Sequence, residues 1–176
     1  MKLHLGCSNR IFTGWVNLDI TEREGVDVVD DASSLTKIDD NSCDIIYSSH
    51  LLEHFSRNDT IDILKLWHSK LKYGGVLRIS VPNFENQVKR YLYTGDIDEI
   101  MGLVVGGHKD RFDKHGVIFD RKSLCRMLES VKFKNIKEWN WREVEHNIYD
   151  DISQAYLPHM DKETGLHMSL NLECIK

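Results

Sequence analysis

The segment Asp44–His54, with the sequence DIIYSSHLLEH, contains several residue types that could do chemistry. A short apolar run ends at two serines, and three ionisable side chains follow at once: His50, Glu53 and His54. This profile is typical of a buried parallel strand that delivers polar side chains to the carboxyl edge of a sheet, where open α/β sheets bind ligands. The same letters also match H-x-x-E-H, the signature of one class of zinc hydrolase. The segment therefore supports two different chemistries.

The zinc interpretation requires His50 and His54 to lie on one face of a helix and to share a third protein ligand. Their spacing meets the first requirement. However, His50 follows directly on the end of an apolar strand, so we do not expect a regular helix through both histidines. We therefore predict no metal site and keep zinc hydrolysis as a remote alternative.

Composition limits the remaining possibilities. A length of 176 residues, with 41% hydrophobic and 29% charged residues, is typical of one globular domain, which we predict to span residues 1–176. We see no apolar segment of signal-peptide or membrane-spanning length, and four scattered cysteines without C-x-x-C spacing predict reduced thiols in a cytoplasmic protein. A net charge of −5 argues against non-specific nucleic-acid binding. The oligomeric state stays open.

The apolar pattern predicts short strands separated by loops and helices. The predicted strands are Lys2–Leu5, Trp15–Ile20, Val26–Val29, Cys43–Ser48, Val76–Val81, Lys134–Trp141 and His167–Ile175. The predicted helices are Asn58–Leu71, Phe84–Tyr93, Asp98–Val105 and one that Asp120 can cap. In the last strand the apolar residues alternate with polar ones, so we expect that strand to have one solvent-exposed face, formed by His167, Ser169, Asn171 and Glu173.

The connections between the first three predicted strands are unusually short. Only Gly6–Gly14 joins the first two, and only Thr21–Gly25 joins the second and third. Parallel neighbours normally need a crossover of a dozen or more residues. Parallel order is therefore possible only if taut loops replace the usual helices, and periodicity alone does not decide this.

Four stretches, in this order, resemble the motifs of a class I S-adenosylmethionine-dependent methyltransferase of the type-11 group. They are LHLGCS, DIIYSSHLLEHF, LKYGGVLRISVPN and HGVIFDRKSLCRMLESVKFKNIK. Each string alone is weak evidence, but four in the family's order and at plausible spacing are fairly specific. The resemblance covers nearly the whole chain.

This resemblance implies an α/β, Rossmann-like methyltransferase fold with a mostly parallel seven-stranded sheet, an antiparallel last strand and shortened early helices. It also implies that residues 84–119 form a helical and loop insertion that covers the acceptor pocket. The implied cofactor is S-adenosyl-L-methionine, with S-adenosyl-L-homocysteine as product. The implied partner is a small polar acceptor, for which we favour a sugar or surface-polysaccharide precursor, methylated on oxygen or nitrogen.

The resemblance also implies roles for individual residues. Gly6 would let the backbone approach the cofactor, Asp19 beside Ile20 would accept hydrogen bonds from the ribose, and Asp31 with Ala32 would line the adenine. Asp30 could exchange roles with Asp31. The residues that leave the fourth strand, Ser48, Ser49 and His50, would lie beneath the cofactor.

Three histidines are candidates for the catalytic base. If the acceptor is a hydroxyl, His115 would take its proton, with His108 and His54 as less favoured candidates. An amine acceptor needs no strong base.

One departure from the family pattern leaves an alternative open. Ser8 stands where the family usually has a second glycine, and it could narrow the space for the methionine part of the cofactor. A non-catalytic cofactor-binding or partner-binding module of the same fold is therefore the main alternative. A glycine-loop oxidoreductase is a poor match because G-x-G-x-x-G is absent.

Overall fold

The computed structural model describes residues 1–176. Nine strands, β1 to β9 in chain order, cover Lys2–Leu5, Val16–Asp19, Val28–Val29, Cys43–Ser49, Leu71–Pro82, Lys134–Glu138, Tyr156–Leu157, Leu166–His167 and Ser169–Ile175. Four helices, α1 to α4, cover Thr60–Lys70, Phe84–Thr94, Asp98–Val105 and Arg121–Ser130. Short 3-10 helices lie at Leu52–His54, Trp141–Glu143 and Ile152–Gln154.

Seven strands form one sheet in the order β3-β2-β1-β4-β5-β9-β6. The first five of these pair in parallel, and β9 runs antiparallel between β5 and β6. The remaining two strands, β7 and β8, form a separate antiparallel hairpin. The predicted α/β sheet with one antiparallel last strand is thus confirmed.

No helix lies between β1 and β4, as the short connections predicted. Specific polar contacts hold the loop that connects β1 to β2. Asn17 fixes it, because the Asn17 side chain accepts from the Phe12 backbone N–H at 2.9 Å and donates to the Phe12 and Trp15 carbonyls. Side-chain hydrogen bonds therefore replace the missing crossover helix.

One face of the sheet carries the larger core. Alternate residues of the central strands, such as Leu5 and Ile46, pack there against α1 and α4. Trp67 of α1 is fully buried, and its indole N–H donates to the Ala32 carbonyl at 2.8 Å. This bond ties α1 to the loop that follows β3, and so to the carboxyl edge of the sheet.

The opposite face carries a second, aromatic core. Phe12, Trp15, Tyr47 and Trp139 pack together there, and the irregular segment 141–157 covers them. This segment also covers the polar side of β9, which the sequence predicted to be exposed. That prediction was wrong for Ser169 and Asn171, which are 3% and 5% exposed because their side chains donate to the Ile152 and Ser153 carbonyls.

Two predicted strand boundaries also differ by three residues or more. The strand predicted as Val76–Val81 begins at Leu71, because the Gly74–Gly75 turn interrupts β5 rather than ending α1. The sixth strand ends at Glu138 instead of Trp141. No helix combines the length and the apolar character that a membrane span requires.

Candidate active site

A cavity of about 430 Å³ opens at the carboxyl edge of the sheet, where β1, β2, β3 and β4 end. Such a volume suits a small-molecule ligand. One wall consists of the strand ends, and the loop 110–113 forms part of the opposite wall. Six of the eight predicted cofactor residues line it: Gly6, Asp19, Ile20, Asp31, Ala32 and His50.

Gly6 ends β1 with φ +64°, a left-handed conformation that favours glycine. A Cβ at this position would lie 3.0 Å from the Leu51 side chain. The absence of a side chain therefore keeps this point of the cavity floor open.

Asp19 is 8% exposed at the end of β2, and each of its carboxylate oxygens already accepts one backbone hydrogen bond. The donors are Ser8 N–H at 2.8 Å and Thr21 N–H at 2.9 Å. A carboxylate has about four lone-pair sites, so acceptor capacity remains. Asp19 consequently orders two loops at the cavity while one edge of its carboxylate stays available.

Asp31 and Asp30 differ in their surroundings. Asp30 accepts from the Asp31 and Lys37 backbone N–H groups and from the Thr36 hydroxyl. Burial opposes ionisation of Asp30, but these hydrogen bonds outweigh it and lower its pKa. Asp31 receives hydrogen bonds only on Oδ1, from Ser33, and it lines the cavity. Asp30 thus stabilises the loop, and Asp31 is the carboxylate with a free oxygen.

The two serines of β4 lie outside this cavity. Ser48 is fully buried, and its hydroxyl has no hydrogen-bond partner. Ser49 lines a neighbouring cavity of about 170 Å³, which shares Gly6, Ser8 and His50 with the larger one. The two cavities therefore lie next to each other, with Gly6, Ser8 and His50 lining both.

His50 ends β4 in a left-handed conformation, φ +49°, and lies against the buried carboxylate of Glu53. The Ser169 hydroxyl donates to the Ile152 carbonyl, so His50 Nε2 must carry the proton in its 2.9 Å contact with Ser169 Oγ. In a neutral ring His50 Nδ1 then has a lone pair, which faces Glu53 Oε1 at 3.2 Å.

His54 and His115 meet beside the cavity, with ring centroids 4.9 Å apart and the rings edge to face. His54 lines the cavity, whereas His115 lies behind it and is held by its Nδ1 at 3.1 Å from the Leu103 carbonyl. Burial lowers the pKa of His115, although the nearby Glu53 works in the other direction. The chain brings His54 and His115 together because Gly116 N–H donates to the Glu53 carbonyl at 2.7 Å.

His108 lies apart from this group. Its ring is exposed, and Nε2 lies 3.0 Å from the Val105 carbonyl at the end of α3. It does not line either cavity. Of the three predicted catalytic histidines, His54 and His115 are therefore brought together and His108 is not.

Sequence reasoning missed several residues of the site. Glu53 was noted only as part of H-x-x-E-H, although an acidic residue between Leu52 and His54, just beyond a buried strand, was a usable signal. The loop residues 110–113 and Arg23 also line the cavity. No local pattern in the sequence identified them, since they reach the site through loops.

The helix that the zinc-hydrolase interpretation needs is not formed. His50 is left-handed and residues 52–54 form a single 3-10 turn, so His50 and His54 do not share a helical face. His50 Nε2 is also occupied by Ser169.

Comparisons with known proteins identify the family of this chain. A family model described as a methyltransferase domain matches residues 4–138. The chain belongs to this methyltransferase family. A separate search of curated protein sequences finds no match.

Solved methyltransferases share the whole fold. An S-adenosylmethionine-dependent methyltransferase from Archaeoglobus fulgidus is 18% identical, with a TM-score of 0.62 over 99% of this chain and 85% of the other. A possible histamine N-methyltransferase from Thermotoga maritima is 16% identical, with a TM-score of 0.64 over 99% and 81%. At sequence identities this low, the structural similarity establishes a common fold.

A third structure contains the cofactor product. The 1,6-didemethyltoxoflavin-N1-methyltransferase of Burkholderia thailandensis, solved with 1,6-didemethyltoxoflavin and S-adenosylhomocysteine, is 12% identical. Its TM-score is 0.59, over 99% of this chain and 70% of the other. Family membership and fold together identify an S-adenosylmethionine-dependent methyltransferase, whose cofactor is S-adenosylmethionine.

Proposed function

We propose that this methyltransferase methylates a small polar acceptor, bound between His54 and the loop 110–113. The observation that carries this proposal is the single cavity that runs from Asp19 and Asp31 to His54. It offers room for a nucleoside at one end and for a second small molecule at the other. The insertion 84–119 would cover the acceptor, with residues 110–113 as the part in contact.

The cofactor would lie across Gly6. The free lone pairs of Asp19 suit the ribose hydroxyls, and the unpaired Oδ2 of Asp31 suits the adenine amino group beside Ala32 and Ile20. His50 and Ser49 would support the methionine part, where the smaller cavity opens. Ser48, fully buried, would act only by supporting this floor.

The acceptor end is polar, with the aromatic residues Phe55 and Phe112 beside the charged groups. Asp110, Arg111 and Asp113 supply charged groups, and Phe112 is 47% exposed there. Carboxylates accept hydrogen bonds from sugar hydroxyls, and an exposed ring packs against the apolar face of a sugar. This combination supports a carbohydrate acceptor over an extended apolar one.

Bound S-adenosylmethionine supplies a methyl group that the positive sulfur already activates, so positioning is the main task of the protein. For a hydroxyl acceptor, His54 is the histidine that lines the cavity and would receive the proton. His115, against His54, would assist it, and His108 would need the loop to move. For an amine acceptor these groups would mainly orient the nitrogen lone pair. The unpaired cysteines fit a cytoplasmic setting.

The proposal is tested by incubating the protein with S-adenosylmethionine and a panel of monosaccharides, nucleotide sugars and small amines, and by detecting methylated products by mass spectrometry. We expect a hydroxyl of a sugar-containing acceptor to be methylated. Exclusive methylation of amines would contradict the carbohydrate preference.

A matched pair of variants localises the acceptor. Phe112→Leu should raise the KM for the acceptor roughly fivefold, which corresponds to ~1 kcal/mol of ring contact, and should leave the KM for S-adenosylmethionine unchanged. Phe84→Leu changes an aromatic residue of similar exposure that does not line this cavity, and it should change neither constant. Equal effects of the two variants would contradict an acceptor at residue 112.

A further inference from the structure

Glu53, His54 and His115 form a cluster that methyl transfer as described above does not fully use. One potential metal-ligand atom from each side chain lies within 4.8 Å of the other two. The three come from two distant parts of the chain, the 3-10 turn after β4 and the loop before α4. Two histidines with one carboxylate form the ligand set of many catalytic metal sites.

Glu53 is the unusual member of this cluster. Its side chain is 1% exposed, and neither carboxylate oxygen has a hydrogen-bond partner. A buried carboxylate without hydrogen bonds is costly unless a positive charge lies beside it. The nearest group, His50 Nδ1, approaches to 3.2 Å without hydrogen-bond geometry. Apart from this contact with His50, no group of the chain pairs with the Glu53 carboxylate, and neither of its oxygens accepts a hydrogen bond.

The two histidines are oriented as metal ligands usually are. His54 Nδ1 lies 3.3 Å from the Lys114 carbonyl, and His115 Nδ1 lies 3.1 Å from the Leu103 carbonyl. A carbonyl oxygen can only accept, so each Nδ1 carries its proton and each Nε2 retains a lone pair. Histidines that bind metals typically donate their other ring N–H to a backbone carbonyl or carboxylate in this way.

We propose that Glu53, His54 and His115 bind one divalent transition-metal cation through a carboxylate oxygen and the two Nε2 atoms. Imidazole ligands favour ions of the Zn²⁺ or Fe²⁺ type over Mg²⁺, and Mn²⁺, which also suits oxygen ligands, is the weaker transition-metal candidate. This proposal departs from the sequence-based prediction of no metal. It also differs from the H-x-x-E-H interpretation, because His115 replaces His50 as the second histidine.

Binding requires a small contraction of the cluster. With metal–nitrogen bonds of about 2.1 Å, tetrahedral ligand atoms lie about 3.4 Å apart. One candidate ligand atom of each side chain lies within 4.8 Å of the other two, so the side chains must move closer, with each histidine ring turned to present its Nε2 atom. Rotation about side-chain torsions can supply this movement, since His54 is only partly buried and faces the cavity.

The position of the cluster suggests its use, and this step rests on the proposed function. Because His54 lines the cavity, a bound cation would present an open coordination position to the acceptor. An acceptor hydroxyl bound there would lose its proton to water more readily. Its oxygen would then form the bond to the methyl carbon while the carbon–sulfur bond breaks, with that electron pair remaining on sulfur. With the cation bound, His54 and His115 would act as its ligands, and water would take the proton in place of His54.

The test uses chelator-treated full-length protein, titrated with Zn²⁺, Mn²⁺ and Mg²⁺ by calorimetry. We expect one Zn²⁺ or Mn²⁺ per chain and much weaker binding of Mg²⁺. Glu53→Gln and His115→Gln should each weaken binding roughly 100-fold or more, because even loss of an outer-shell partner costs 10- to 100-fold. His159→Gln, which removes an exposed histidine in the loop of the β7–β8 hairpin, should leave binding unchanged.

Loading with Co²⁺ gives a second readout, since ligation by two histidines and a carboxylate should produce visible absorption that Glu53→Gln alters. Absence of stoichiometric binding, or equal binding by Glu53→Gln and wild type, would overturn the proposal. Circular dichroism checks that the variants fold. Titration with S-adenosylhomocysteine is done in parallel, so a failure of metal binding is distinguishable from a failure of the methyltransferase site.

Discussion

At the scale of single residues, backbone conformation shapes the cavity floor. Gly6, Ser8 and His50 all have positive φ, at +64°, +49° and +49°. A residue with a side chain loses about 1–2 kcal/mol in this region relative to right-handed backbone. The chain tolerates this at Ser8 and His50, where polar contacts to Arg23 and Ser169 hold the side chains. Strained backbone of this kind is common where a ligand must be approached closely.

Gly6→Ala tests this role. The new methyl group would meet Leu51 and would occupy the left-handed conformation. We expect the free energy of unfolding to fall by about 1–2 kcal/mol and the affinity for S-adenosylhomocysteine to fall clearly. Denaturant unfolding and calorimetry measure the two effects.

Gly95→Ala provides the control. Gly95 has a similar φ of +71° at the end of α2, and nothing lies within 4 Å of an added Cβ. It should lose comparable stability and keep full affinity. If Gly6→Ala bound the product as tightly as Gly95→Ala, Gly6 would not border the cofactor.

At the scale of elements, the loop 105–117 decides whether the two halves of the site meet. Backbone contacts hold it at both ends, with His115 N–H donating to the Val105 carbonyl and Gly116 N–H donating to the Glu53 carbonyl. The Asp120 capping box then starts α4 directly after it. The loop thus carries His115 to His54 on a fixed backbone path.

Gly116→Ala should disturb this path, because an added Cβ would overlap the Phe55 carbonyl oxygen. We expect a loss of stability of roughly 1–3 kcal/mol from displaced backbone hydrogen bonds, with weaker metal binding in the same variant. Gly102→Ala, in the open interior of α3, should be neutral or stabilising. Thermal unfolding of both variants checks this, and equal midpoints would contradict the close backbone approach.

At the scale of the whole molecule, the second sheet face carries two buried, neutral histidines. Burial lowers the pKa of His4 to about 4, and the hydrogen bond that His4 Nδ1 donates to Asn17 Oδ1 opposes the shift. Burial also lowers the pKa of His146 to about 3, and nearby Arg78 adds to this. Both rings stack on Phe12 in the aromatic core. Protonation of either ring is therefore incompatible with this packing.

This gives a pH dependence of known sign. Below about pH 6.5 the unfolded chain binds protons at these histidines while the folded chain does not. The free energy of unfolding therefore decreases as the pH is lowered from about 6.5 to about 4. Each histidine contributes about 1.4 kcal/mol per pH unit. Above pH 7.5 both are neutral in both states, and the effect vanishes.

His146→Phe isolates one of these contributions. It removes two buried ring nitrogens that have no hydrogen-bond partner. The free energy of unfolding should then depend less steeply on pH below 6.5, by the contribution of one histidine. Denaturant unfolding between pH 5 and 7 measures the slope. His159→Gln, at an exposed position, should keep the wild-type slope, and an unchanged slope in His146→Phe would contradict the burial argument.

The strands and the order of the sheet could be predicted because apolar runs such as Ile45–Tyr47 are local signals, and the motifs fixed their order. The residues on the strand side of the cavity could be predicted because they end strands. The burial of the polar side of β9 could not be predicted. Alternating polar residues such as Ser169 and Asn171 indicate an exposed face, and the carbonyls that cover them belong to the distant residues Ile152 and Ser153. Glu53 was missed as a site residue for the same reason, because its neighbour His115 comes from a distant loop.

The most direct test of the central claim, that the cofactor's ribose binds at Asp19, is a titration of two proteins with three ligands. Wild type and Asp19→Asn are each titrated with S-adenosylhomocysteine and with its 2′-deoxy and 3′-deoxy analogues, with Asp62→Asn on α1 as a surface control. Asp19 also orders the Ser8 and Thr21 loops, so affinity loss in the variant alone is not decisive. We expect wild type to prefer the hydroxylated ligand by roughly tenfold or more over at least one analogue, and Asp19→Asn to lose most of that preference. The same preference in both proteins, or no binding of the product by wild type at millimolar concentration, would contradict this account.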